Sequence, residues 1–293
     1  MSVNPTGEQY LISHGRWTAV ITEVGASLRS LSAGGRELLW AFAADRAPVS
    51  SQGAQLLPWP NRIRDGRYTF EGVEQQLPLT EPVRHNALHG LNHGLPWALV
   101  ERAESSLKQR ATIFPQKGWD GVITVEISHR LSDDGLVVDV VAANHGAQDA
   151  PYGYGTHPYF AFDNIDEVEV TLPFDSELLV TQDRLLPVEI SRVMPEHDFR
   201  SPRRLGDTEF DTALCSPVAT QWTVRMAGPD HAVEVWGDPS TPWVQVFTKP
   251  DRSAIAVEPM TCGPDAFNEG PTRAGRIVLA PGESAACRWG VRG

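Results

Sequence analysis

Cysteine is nearly absent. The 293 residues hold three, Cys215, Cys262 and Cys287, with no C-x-x-C pair among them. An odd, sparse set excludes a disulfide framework and offers no zinc-ligand spacing. It is the pattern of reduced thiols in a cytoplasmic protein. Long apolar runs are missing too. No stretch approaches the roughly 20 consecutive apolar residues that cross a bilayer. Residues 1–11 are polar, without the apolar core of a signal peptide. Basic charge is also short: 25 Lys and Arg stand against 37 Asp and Glu, a net charge of -12. Phosphate backbones and anionic lipid surfaces are bound by clustered Lys and Arg. Neither nucleic acid nor a membrane is therefore an expected partner.

Uninterrupted helical windows are rare, because 23 prolines and 25 glycines are scattered along the chain. What replaces them is alternation with a period of two. Ile123, Val125, Ile127 and Leu131 alternate with Thr124, Glu126, Ser128 and Arg130. Ser132-Asp133-Asp134-Gly135 then makes a turn into the apolar stretch 136–143. Val168, Val170 and Leu172, then Val233 and Val235, then Val244 and Val246, repeat the pattern. Residues 276–279 and 284–291, joined by Ala280-Pro281-Gly282-Glu283, read as a closing hairpin. No repeat of 20–50 residues is present, which excludes a propeller. The expectation is an all-β sandwich or barrel with few short helices, as one domain over residues 1–293.

Several stretches break that pattern and gather polar, aromatic and glycine residues. They are centred on Asn61-Arg62, on His85 to His93, on His157, on Asp211, and on Glu258 through Asn268. His85, His89 and His93 lie four apart, a spacing that puts metal ligands on one helix face. Gly90 and Gly94 interrupt any such helix, so loop histidines are expected instead of a metal site. His157, between Thr156 and Pro158, is by itself an ordinary turn histidine. Glu258 follows Ile255 and Val257, which places a carboxylate at the end of an apolar strand. Such a group is costly to bury unless it is used. No G-x-G-x-x-G, P-loop or G-x-S-x-G string occurs, so nucleotide and serine-hydrolase chemistry have no anchor. Nothing near Cys262 lowers its pKa, so a thiol nucleophile is not expected.

In order and spacing these stretches resemble the aldose 1-epimerase, or galactose mutarotase, family. The matching strings are Asn61-Arg62-Ile63 with Gly66-Arg67-Tyr68, Leu88-His89-Gly90, His157-Pro158-Tyr159-Phe160, and Glu258 with Pro264-Asp265-Ala266-Phe267-Asn268. The resemblance implies an antiparallel β-supersandwich with a sugar held in an open cleft. It implies mutarotation of a hexose: ring opening and reclosure on the other face, by acid–base catalysis with no metal or cofactor. His157 resembles the general acid on the ring oxygen and Glu258 the general base on the anomeric hydroxyl. His89 resembles the second histidine of the family, and Arg62 and Asp211 its hydroxyl-binding residues; the match around Asp211 is the loosest.

Trp243, Tyr159 and Trp59 are candidates for an aromatic face against the sugar, and equally for core. Pro259-Met260-Thr261 after Glu258, and Pro58-Trp59-Pro60 before Asn61, depart from galactose-specific members and leave the sugar open. One alternative is a phosphorylated or sulfonated sugar, met by Arg64, Arg67 and Arg84 at the rim. Another is a non-catalytic sugar-binding protein on the same scaffold. The expected partner is a small sugar, and the expected assembly a monomer or homodimer.

Overall fold

Strict alternation builds the molecule. Along the strand Ile123–Ser132, Ile123, Val125, Ile127, His129 and Leu131 are buried while the residues between them are not. Successive side chains point to opposite sheet faces, so one face of each strand feeds the interior. The structure, a computed structural model, describes residues 3–293 and contains 27 strands and three short 3-10 turns. Among these residues no helix is long and apolar enough to cross a membrane. Cys215, Cys262 and Cys287 are free and buried.

Two large antiparallel sheets form an antiparallel β-supersandwich. The first has nine strands, with Ile123–Ser132, Gly135–Asn144 and Ser284–Arg292 near its middle. The second has eight, and Asp211–Pro217, Trp243–Thr248 and Ala254–Met260 run side by side through it. One apolar core draws on both: Val125, Ile127, Val138 and Val140 from the first sheet, Val244, Val246, Ile255 and Val257 from the second. Burying each such side chain is worth roughly 1.5–3 kcal/mol.

The expected closing hairpin does not form as a ladder. The turn is made, with Glu283 N donating to Ala280 O at 2.9 Å. However, Ile277–Leu279 pairs with Ala150–Tyr152, while Ser284–Arg292 pairs with Gly135–Asn144 and Ala232–Gly237. Buried Asn144 sits at the fork. Its Nδ2 donates to Leu279 O at 2.7 Å and to Gln148 O at 2.8 Å, and its own carbonyl accepts from Gly282 N at 2.9 Å. Asn144 thus ties both sides of the turn to the first sheet at the point where the two strands part.

His129 is a polar exception inside the first sheet. It is fully buried between Leu107 and Val138, and neither ring nitrogen has a hydrogen-bond partner. Burial holds its pKa down to about 4. The unfolded histidine titrates near 6.5, so between those values the unfolded chain binds one more proton than the fold. Stability therefore falls as pH drops from 6.5 toward 4. His129→Leu is expected to flatten the pH dependence of urea-derived stability in that window by about 1.4 kcal/mol per pH unit. Equal slopes in variant and wild type would mean that His129 is not held neutral.

Candidate functional site

The second sheet has a polar outer face because its strands alternate. On Trp243–Thr248, Val244 and Val246 enter the core, which turns Gln245 and Phe247 outward. On Ala254–Met260, Ile255 and Val257 enter the core, which turns Ala256 and Glu258 outward. Register aligns them: Gln245 lies opposite Glu258 and Phe247 opposite Ala256. Asp211 lies beside Phe247 on the next strand, and Tyr159 beside Ala256 on the other side. The strands Gly155–Thr156 and Tyr159–Ala161 both pair with Ala254–Met260, and His157 lies in the bend between them. A row Asp211–Phe247–Ala256–Tyr159 therefore runs beside a shorter row, Gln245–Glu258, toward His157.

Behind these rows the loops carrying Asn61-Arg62 and His89 close the second wall. The strands Arg62–Arg64 and Asn86–Leu88 pair with each other. Asn61 and His89 both sit at positive φ, 57° and 63°, a region that non-glycine residues occupy sparsely and that concentrates at functional sites. Asn61 N donates to His89 Nδ1 at 3.2 Å, and His89 N donates to Asn61 O at 2.9 Å. An Nδ1 that accepts leaves the proton on Nε2, so His89 is a donor toward the cleft. Burial, with the charges of His157, His93 and Arg62, pushes its pKa well down and keeps it neutral. Gly90 makes this loop possible. Its φ is +77°, and a Cβ there would lie 2.1 Å from Leu57 O.

The result is an open cleft of about 230 Å³ that contains His157, Glu258, His89, Arg62 and Asp211 together. A larger depression of about 400 Å³, lined by Tyr68, Trp119 and Asp149 among others, contains none of the five. His157 Nε2 lies 3.3 Å from Glu258 Oε1, with side chains 8% and 2% exposed. His157 Nδ1 and Glu258 Oε2 are buried without hydrogen-bond partners in the protein. The His157 ring stacks on Tyr159 at 4.7 Å and 25°, which fixes its plane. His89 meets it edge-on at 5.3 Å.

Burial sets the electrostatics, because taking a charge out of water favours the neutral form. It drives the Glu258 carboxyl well above the ordinary carboxylate range, with the Asp211 charge adding and Arg62 opposing. It holds the His157 imidazole down to about 3. The Asp211 carboxyl is also raised by burial, against Arg62, Arg84 and the hydrogen bond from Gln245.

The chain belongs to the aldose 1-epimerase family. The family model for aldose 1-epimerase matches residues 8–289. YihR, an uncharacterized protein of Escherichia coli (strain K12), is 30% identical over 271 residues, 90% of this chain and 87% of its own. The aldose 1-epimerase of the same strain is 24% identical over 216 residues, 70% of this chain and 59% of its own. The crystal structure of the GalM/aldose epimerase homologue from C. elegans superposes with a TM-score of 0.86 at 19% identity. It covers 97% of this chain and 98% of that one, and it shares the fold.

Within this aldose 1-epimerase fold, several sequence expectations move. Of the three aromatic candidates only Tyr159 lines the cleft. Trp59 packs on Phe267 at 6.0 Å, and Trp243 joins Leu178, Ala213, Cys215 and Met260 in an apolar cluster. Phe247 supplies the second aromatic wall, 6.3 Å from Tyr159 across small Ala256. Arg64, Arg67 and Arg84 do not line the cleft; Lys249 does. His85, His89 and His93 diverge: His85 Nδ1 lies 3.0 Å from Asp65 Oδ1 at the surface, and His93 lines a different depression. Cys262 is buried and its pKa is pushed up to about 12, so it is no nucleophile.

Besides Phe247 and Lys249, two further residues, Gln245 and Glu81, gave no signal in the sequence. Gln245 donates from Nε2 to Asp211 Oδ1 at 2.8 Å and accepts from Asn61 Nδ2 at 3.2 Å, which ties two walls together. Its strand position gave no signal, since a lone Gln among valines reads as an outward polar residue. Glu81, which holds Arg62 from behind, lies in a stretch with no motif. Asp265 of the Pro264–Asn268 string proves to be a strut: it accepts from Arg64 N at 2.9 Å and from Asn268 Nδ2 at 2.7 Å. Gly90→Ala is expected to cost at least about 2 kcal/mol in chemical denaturation, through a backbone clash and an unfavourable φ. An unchanged midpoint would show that the Leu57–Gly90 contact yields easily.

Proposed function

We propose that this protein is a mutarotase that interconverts the α and β anomers of a neutral hexose. The observation that carries the reading is the His157–Glu258 contact at 3.3 Å on the floor of an open cleft, with the two groups pushed in opposite directions by burial. Ring opening needs a proton delivered to the ring oxygen and another removed from the anomeric hydroxyl. The C1–ring oxygen bond then breaks and a C1 carbonyl forms. With imidazolium and carboxylate, His157 donates to the ring oxygen and Glu258 accepts from the hydroxyl. An acid whose pKa is lowered gives its proton readily, and a base whose pKa is raised takes one readily.

After opening, the pair is imidazole and carboxylic acid, the neutral state that burial favours. Rotation about C1–C2 presents the other carbonyl face. Closure then reverses both transfers, with Glu258 protonating the carbonyl oxygen and His157 accepting from the ring hydroxyl. Proton count is the same throughout, and no electrons leave the sugar. The His89 Nε2 proton supports charge near the ring oxygen. Arg62 and Asp211 suit hydroxyl groups, while Tyr159 and Phe247 suit the C–H face. Arg62 lies on Glu81, and Lys249 Nζ lies 3.0 Å from Asp251 Oδ2, so each cation lining the cleft already has a carboxylate. That favours a neutral sugar over an anionic one. A binding protein without turnover would have no use for an opposed acid and base in contact.

Polarimetry on freshly dissolved α-D-glucose and α-D-galactose is expected to show accelerated approach to equilibrium rotation. Glu258→Gln and His157→Asn are each expected to lower kcat by about 10²-fold or more with the circular dichroism spectrum unchanged. Wild-type turnover in either variant would remove that residue from the mechanism. Because the pair keeps one proton over a wide range, kcat/KM is expected to stay flat from about pH 5 to about 7.5. An acid limb centred near the ordinary imidazole pKa would contradict the burial of His157.

A further inference from the structure

Arg62 is presented to the cleft by groups outside it. Its Nε and Nη2 donate to Glu81 Oε2 and Oε1 at 2.9 and 3.0 Å, the side edge of a guanidinium forked on a carboxylate. The two side chains are 11% and 12% exposed, so solvent screens the pair little. Burial alone would raise the Glu81 carboxyl, but the bonds from Arg62 and Asn86 outweigh it and hold it below its ordinary range. Arg84 Nη1 and Asn86 Nδ2 donate to the same carboxylate at 3.3 and 3.0 Å. Glu81 and Asn86 also exchange backbone hydrogen bonds, N to O in both directions, at 3.0 and 3.2 Å. Glu81 thus has no freedom to follow a moving arginine.

The segment that carries Glu81 is tied to a distant part of the fold. Arg184 lies in the turn between Phe174–Val180 and Pro187–Arg192, at the edge of the second sheet. Its Nε donates to Arg84 O at 2.9 Å. Its Nη2 faces Asp65 Oδ1 at 2.8 Å, His85 O at 2.9 Å and Asn86 Oδ1 at 3.1 Å. Asn86 Nδ2 returns a bond to Arg184 O at 3.2 Å. A continuous set of polar contacts therefore runs from that edge turn, through residues 81–86, to the guanidinium in the cleft. With the side edge of Arg62 occupied and Nη1 also donating to Asn61 Oδ1 at 3.4 Å, one proton on each of Nη1 and Nη2 remains, two parallel donors that suit adjacent hydroxyl oxygens.

We infer that Glu81 is a positioning residue for Arg62, and that Arg184 anchors the segment carrying it, so that affinity for the sugar is set from outside the cleft. The inference rests on the reading of the cleft as a sugar site. A guanidinium already held in its binding rotamer loses little entropy when sugar arrives. One released from Glu81 must be ordered again at each binding event. The contacts are remote from the breaking bond and act equally on ground and transition state, so their loss appears in KM and not in kcat.

The test uses the full chain. For Glu81→Gln, KM for α-D-glucose or α-D-galactose is expected to rise about tenfold with kcat within about threefold. Arg184→Ala is expected to raise KM about threefold, with partial return in Arg184→Lys, and it reads the same tie if Glu81→Gln does not fold. The decisive comparison is Arg62→Ala with and without Glu81→Gln. If Glu81 acts through Arg62, the second substitution adds less than about twofold in KM. Additive effects, or a loss in kcat with KM unchanged, would overturn the inference. Should wild type accelerate neither sugar, the proposed function fails by itself. The clamp is then read from the Arg62 Nε–H signal in ¹H–¹⁵N spectra. Slow exchange in wild type and fast exchange in Glu81→Gln, with the amide spectrum preserved, supports it; identical signals refute it.

Discussion

Everything at the site depends on a carboxyl and an imidazole kept from water while 3.3 Å apart. In solution such a pair would ionise, Glu258 as a carboxylate and His157 part-protonated. On the floor of the cleft desolvation opposes both charges, so the same two groups are a strong base and a strong acid whenever they are charged. The proposed chemistry is that opposition run in each direction. The atoms His157 Nδ1 and Glu258 Oε2 remain buried without partners, and a well-satisfied core would not tolerate this. The rest of the fold holds them there against that cost.

The sheet does most of the holding. Glu258 is pinned by register between Gln245 and the strands flanking His157, and its neighbours Val257 and Ile255 are anchored in the core. Moving the carboxylate would mean withdrawing those side chains. His157 N donates to Ala54 O at 2.9 Å and its carbonyl accepts from Gly53 N at 3.0 Å, and its ring stacks against Tyr159, whose hydroxyl donates to Ser50 O at 3.1 Å. The opposite wall is built from irregular chain, and it is held by polar contacts: Asn61 with His89, Gln245 with Asn61 and Asp211, Glu81 with Arg62. Glu258 thus sits within a strand and His157 in the bend beside it, while Asn61 and His89 sit on the irregular wall.

Much of this was legible before any coordinates. Period-two alternation in residues 123–131 and 244–246, and the scatter of proline and glycine, determined strands and excluded long helices, because side-chain direction in a strand is local geometry. The order of the Asn61-Arg62, Leu88-His89-Gly90, His157-Pro158 and Glu258 strings marked the family and pointed to the five residues that the cleft brings together. What local pattern could not carry is pairing. Residues 276–279 and 284–291 look like a hairpin, but they pair with Ala150–Tyr152 and with Gly135–Asn144, more than 120 positions away. For the same reason Gln245 and Glu81 were invisible: each matters through a contact across 34 or 19 positions and not through its neighbours in the chain. Trp59 and Trp243, both plausible sugar platforms as residue types, were decided by which side of a strand or loop faced open space. Sequence determined the periodicities and the chemical groups available. Tertiary structure alone decided which of those groups meet and which lose their water, because distance and desolvation belong to the folded chain.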